Sequence, residues 1–253
     1  MNKVIRAEFG RTINAGLIIA IAGIIFSICF DSFNDLIAGL RNGQGYVGYF
    51  FSNAAFGGMC THYMLPVFTA LPFSVSLCQE RNNKAVSYIV SREGKNRYIF
   101  AKFIVSAISG GFVAACGTVL LFLMLAMRFP IAGDEFEGAV VSDYFHEWSA
   151  VYYPQLYILT LSILAFCRGV IWSSLALCVS LYTSDFMVVL LSPFLGSYVL
   201  VRIFQIIRVP DMVRPDMILI GQVVIKSSGL TLLIAIAISL TIVTLIGAFL
   251  LEK

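Results

Sequence analysis

Residue types that do chemistry are sparse in this chain and are not spaced to do it together. The two histidines, His62 and His146, are not placed as metal ligands, and no HExxH, GxSxG or paired-carboxylate pattern lies on an apolar segment. The nearest thing to a phosphate-binding loop is Gly94-Lys95-Asn96, which lacks the upstream glycine and the following serine or threonine. The six cysteines form no CxxC pair and no zinc spacing, so they read as buried free thiols. The expectation is a chain that is not an enzyme and binds no metal or cofactor directly.

The charge that stands out is Arg168, in FCRGVIWSSL, deep inside a long apolar run. A charge in hydrocarbon is costly and must face a cavity or a polar partner. Two readings follow: a substrate or gating residue facing a central path, or a structural arginine bonded to carbonyls or a polar neighbour. No apolar run offers it an obvious acidic partner. Arg202 lies nearer a run's end, where it can snorkel. Asp31, Glu80 and Asp185 also stand at run ends, which argues against a self-sufficient proton-driven carrier. Pro66 and Pro72 fall within one apolar run and should bend it, so they join Arg168 as candidate substrate-path residues.

These residues sit on a membrane scaffold. Of 253 residues, 59% are hydrophobic and 12% charged, with mean hydropathy +0.91. Soluble domains carry about 25% charged residues. The apolar residues fall in six runs, about 14–30, 59–77, 99–127, 154–182, 186–207 and 230–251. Each is near the length that crosses a bilayer. The predicted class is all-α and polytopic, with six spans in a single domain. The first run has no small-residue cleavage site behind it and reads as an uncleaved span. Before it, Val4, Ile5 and Phe9 alternate at helical spacing with Lys3, Arg6 and Arg11, which suits a short interfacial helix. Gly110, Gly111, Ala114, Ala115 and Gly117 give the third run a small-residue packing face. The stretch 208–228 is half apolar and too broken to span, so it reads as a re-entrant outer hairpin.

Basic residues set the expected orientation. With the N-terminus inside, Lys3, Arg6, Arg11, six residues of the 79–102 segment and Lys253 are cytoplasmic. Arg41, Arg128, Arg208, Arg214 and Lys226 are outside, with the acidic 134–147 loop. Both termini are then cytoplasmic in a multi-pass cell-membrane protein. The net charge of +3 is too small to suggest nucleic acid.

The 79–102 segment, QERNNKAVSYIVSREGKNRYIFAK, is the longest polar stretch. Within it Val86, Ile89 and Val90 form a short apolar helical face, suited to docking on a partner. Here the chain resembles the permease subunits of ABC transporters of the ABC-2 type. In that family a Glu-Arg pair closes the second span, a short coupling helix follows, then a turn, an arginine and a lysine entering the third span. Glu80-Arg81, the 82–93 helix with Val86, Ile89 and Val90, Ser91, Arg97 and Ala101-Lys102 match that order. Arg92-Glu93-Gly94 stands where the family usually has proline. The resemblance implies that Glu80, Arg81, Val86, Ile89, Val90, Arg97 and Lys102 couple to separate ATPase subunits, which hold ATP and Mg. It implies a second permease subunit, identical or paralogous, and export of a hydrophobic or amphipathic cargo such as an antimicrobial peptide, lipid or drug. An alternative from another class is a non-transporting sensor or immunity subunit that binds a peptide outside, using the acidic loop and the hairpin. An intramembrane enzyme is a third class, disfavoured because no catalytic set is visible.

Overall fold

The computed structural model describes residues 2–42, 47, 50, 58–74, 76–130, 154–221 and 228–252. The acidic 134–147 loop, His146 and Lys226 lie outside the described residues. Those described are helices and turns, with no strand among them. Four helices are long and apolar enough to cross a membrane. They are α7 (Lys95–Ala126), α8 (Pro154–Tyr182), α9 (Phe186–Ile207) and α11 (Ser228–Glu252). Their bounds follow the apolar runs, because an unbroken apolar stretch satisfies its backbone only as helix once water is gone. α7 begins earlier than expected, since Lys95 to Tyr98 continue the helix beyond the apolar run.

The first expected span, 14–30, and the interfacial helix expected before it form a bent pair. Here α1 (Asn2–Thr12) meets α2 (Ala15–Asp31) at 55°, and the two together qualify as a fifth span. The bend is fixed by Asn14. Its side chain caps α2 by accepting from the Leu17 amide at 3.1 Å, and donates to the Arg11 carbonyl at 3.1 Å and the Pro72 carbonyl at 3.3 Å. α3 (Phe33–Asn42) follows after Ser32.

The expected span at 59–77 is corrected by the structure: it is not one helix. α4 (Met59–Ala70) stops before a turn at 71–74, and α5 (Ser76–Asn82) restarts beyond it. The cause is Pro72, which has no N–H to donate back to the Phe68 carbonyl; Leu71 before it keeps helical geometry at φ −63°, ψ −39°. Pro66 is accommodated inside α4, at the expense of the bond to the His62 carbonyl. Among the described residues four helices, or five with the bent pair, are long and apolar enough to span, against the six expected. The start of α4 is closed by Asp31, whose carboxylate accepts from the Cys60 and Thr61 amides at 3.0 and 2.6 Å. A carboxylate at a helix N-terminus satisfies free donors and the local dipole. α6 (Ala85–Glu93) comes next, entered through Lys84 at φ 56° and left through Gly94 at φ 83°. The stretch after α9 contains a short 3₁₀ turn (Asp211–Val213) and α10 (Pro215–Ile220). The rest of the expected 208–228 hairpin, 222–227, lies outside the described residues.

The helices pack through small residues. A Cβ on Gly169 would stand 2.4 Å from the Gly110 carbonyl oxygen, and one on Gly110 would meet Ser173 at 2.4 Å. Backbone therefore meets backbone where α7 crosses α8, as expected when packing rather than hydrophobicity drives association. Gly117 admits Ile24 of α2, and Gly23 of α2 admits Phe68 of α4. A hydroxyl node ties the break after α4 to this seam. Ser74 Oγ donates to the Ser173 carbonyl at 3.0 Å and lies 3.0 Å from Ser106 Oγ, which reaches the same carbonyl at 3.2 Å. All six cysteines are free and buried or partly buried.

Gly169→Ala should destabilise the fold by about 1–3 kcal/mol through overpacking. Thermal unfolding in detergent should show a lower midpoint for Gly169→Ala, and no lowering for Gly10→Ala, where a Cβ meets nothing within 4 Å and alanine favours the helix.

Candidate functional site

Two sites carry buried charge. The first lies where α1, α5 and α7 meet. Lys102 is 1% exposed, and its Nζ stands 2.8 Å from Glu80 Oε1 and 2.9 Å from Glu8 Oε2. It also donates to Ser76 Oγ at 3.2 Å and lies over the Phe73 ring at 4.8 Å. Arg11 pairs with both carboxylates, and the Tyr98 hydroxyl donates to Glu80. Two carboxylates thus balance two cations, the condition under which buried charge is tolerable. Beside the cluster an open hollow of about 620 Å³ is lined by Arg11, Asn14, Pro72, Gln79 and Glu80 among others.

This cluster fixes the base on which α6 sits. Val86, Ile89 and Val90 pack against Leu77, Tyr98, Phe103 and Leu177, so the apolar face of α6 turns into the protein. These three residues, expected to form a docking face, are partly buried and hold α6 to its own spans. The outward residues are Tyr88, 78% exposed, with Ser91 and Arg92. Arg81 donates to the Leu181 carbonyl at 2.9 Å and Asn82 to the Ser184 carbonyl at 3.2 Å, tying α5 to the end of α8. Arg97 is exposed on the first turn of α7. Of the seven residues grouped by the sequence, Glu80 and Lys102 meet directly, while Val86, Ile89 and Val90 share one apolar cluster.

The second site surrounds Arg168. The residue is 7% exposed, at the midpoint of α8. It lines a cavity of about 130 Å³ with His62 of α4, Trp172 of α8, Ser197 and Leu200 of α9, and Asp216 of α10. Pro66 and Pro72 are buried but do not line this cavity, so the structure does not join them to Arg168. A further space of about 20 Å³, of single-water size, is also lined by Arg168, with Thr61 and Thr118. The 208–228 stretch supplies the cavity's acid. Asp216 accepts from Arg214 at 2.7 and 3.3 Å, and Asp211 accepts from it at 3.1 Å. Its bond to Asp216 holds the Arg214 guanidinium above its ordinary pKa, against the opposing effect of burial. Arg214 is thus a buried anchor, not a basic residue reaching for headgroups.

Sequence reasoning missed Glu8, His62 as a cavity residue, and Asp216. Glu8 had one usable signal: a lone carboxylate in an otherwise basic N-terminal segment. Asp216 had none, since it lies outside every apolar run. Among the described residues no group of three or more His, Cys, Asp or Glu could hold a metal ion.

Lys102→Met should destabilise by about 3–5 kcal/mol, because it leaves two buried carboxylates short of a cation. Arg11→Met should cost far less, since that side chain is 55% exposed. Comparing the two unfolding midpoints in one detergent checks the ranking.

The geometry is that of helices packed for hydrocarbon, with the buried charge of the described residues gathered at two internal sites. Comparison of the chain with protein-family models, with curated proteins and with solved structures finds no match. The protein is a polytopic, all-α, multi-pass membrane protein.

Proposed function

We propose that the protein is the permease subunit of an ATP-driven exporter of the ABC-2 type. The observation that carries this reading is α6. It is a nine-residue helix outside the spanning helices, held by its apolar face and presenting Tyr88 outward. A helix so mounted passes a push on its outer face to α5, α7 and α8 through packed side chains rather than through a loop. Glu80 and Lys102 stiffen that mount. Tyr88 is an apolar ring with a polar tip, a type enriched at protein interfaces.

On this reading the chain hydrolyses nothing itself. Two separate ATPase subunits supply ATP and Mg chemistry, and a second permease subunit, identical or paralogous, completes the transport path. The N- and C-termini face the cytoplasm with α6. The cargo is hydrophobic or amphipathic: an antimicrobial peptide, a lipid or a drug. The bent α1–α2 pair and the broken α4–α5 segment support it, because interrupted helices are where spans change angle.

A photo-crosslinking amino acid placed at position 88 should capture a P-loop ATPase from the native membrane, identified by mass spectrometry. Tyr88→Asp should reduce ATPase copurification about tenfold or more, as loss of an interface anchor does, without lowering the amount of folded protein. Capture of no ATPase at position 88 sinks the reading.

A further inference from the structure

Arg168 is more than nine-tenths buried, and its guanidinium has no hydrogen-bond or ion-pair partner among the described residues. Asp216 lines the same cavity but is committed to Arg214, which also holds Asp211. Around the cavity the two cations and two carboxylates sum to zero, but both carboxylates are held by Arg214 and Arg168 is left without a direct partner among the described residues. A buried charge of this kind is stabilised by an anion of single charge. The rest of the wall is apolar, with Ile171, Leu175, Leu200 and Val201 among the lining residues. A volume of about 130 Å³ holds a small headgroup and the start of a chain, and excludes a folded peptide. On α9 the lining residues Leu200 and Val201 are only half-buried, so the apolar wall continues to the surface of that helix and offers an exit for the remainder of a chain.

We propose that this cavity binds a monoanionic amphiphile, with the acid group on Arg168 and the chain along α9. The inference rests on the cavity, not on the exporter reading, and goes beyond it. Two sources share the chemistry: a free fatty acid and an anionic phospholipid.

The test uses the full chain in phosphatidylcholine nanodiscs with no ATPase present, so its result is independent of α6. Trp172 lines the cavity, and Trp148→Phe removes the other tryptophan of the sequence. Quenching of Trp172 is then measured with 4-bromododecanoate, with 4-bromododecan-1-ol, and with phosphatidylglycerol brominated near its headgroup. Saturable quenching by the acid at a concentration about tenfold or more below the alcohol is expected, the ratio for a charge-assisted contact. Quenching by the brominated phospholipid and not by the acid keeps the site and assigns its ligand to the bilayer. Arg168→Gln should abolish the preference for acid over alcohol, and Arg168→Lys should retain part of it. Leu200→Phe, which narrows the cavity and leaves Arg168 in place, should weaken both probes. Equal quenching by acid and alcohol in the unaltered cavity, or no saturable quenching by any probe, overturns the proposal.

Discussion

The pairing of Lys102 with Glu8 and Glu80 is the contact on which the arrangement of this protein turns. It joins three elements far apart in sequence: the N-terminal helix, the segment after the Pro72 break, and the start of the longest helix. In hydrocarbon no hydrophobic force draws helices together, so specificity must come from shape and from polar groups with nowhere else to go. A buried ammonium between two carboxylates is such a group. It does not make the fold more stable than an apolar replacement would, but it makes misplacement of any one partner expensive. Around it the orientations of α5 and α6 are settled, and Tyr88 is set on the outer face.

A second constraint complements it. The contact of Gly110 with Gly169 brings α7 and α8 to backbone distance, and the hydroxyls of Ser74 and Ser106 meet the Ser173 carbonyl beside it. These are short, directional contacts with little side-chain entropy to lose. By contrast α11 buries only 11% of its most apolar stretch and α9 22%. The molecule is therefore a rigid α2–α4–α7–α8 centre with two helices mostly turned to its surroundings. The Arg168 cavity lies at the boundary, with α4 and α8 on the rigid side and α9 on the other.

How much of this was legible follows from what each feature depends on. The ranges of α8 and α9 could be read because a long apolar run forces a helix whatever it packs against. The small residues of α7 were readable as a packing face for the same reason. Pro72 was visible, but an average over the 59–77 run hid that it ends the helix instead of bending it. The apolar face of α6 was visible as a face; which side it served was not, because the pattern is the same for a helix gripping its own protein and one gripping a partner. Asp31 looked like a span terminator, and its service to the amides of Cys60 and Thr61 depends on a fold-back no local pattern encodes. The Arg168 cavity was half legible: the lone charge stood out, while His62 and Asp216 reach it only through tertiary structure.

The order of the chain gives the α7–α8 seam a further meaning. By the time Ser184 is made, every member of the Lys102 cluster and both glycines of the seam exist, and nothing later is needed to complete them. Ser197, Leu200, Asp216 and Ile242, which close the Arg168 cavity, come afterwards. Synthesis runs from the N-terminus, so earlier segments are available to pack before later ones. The order of residues therefore lets the frame assemble before the cavity is sealed, with no contact of the frame waiting on the residues that close the pocket.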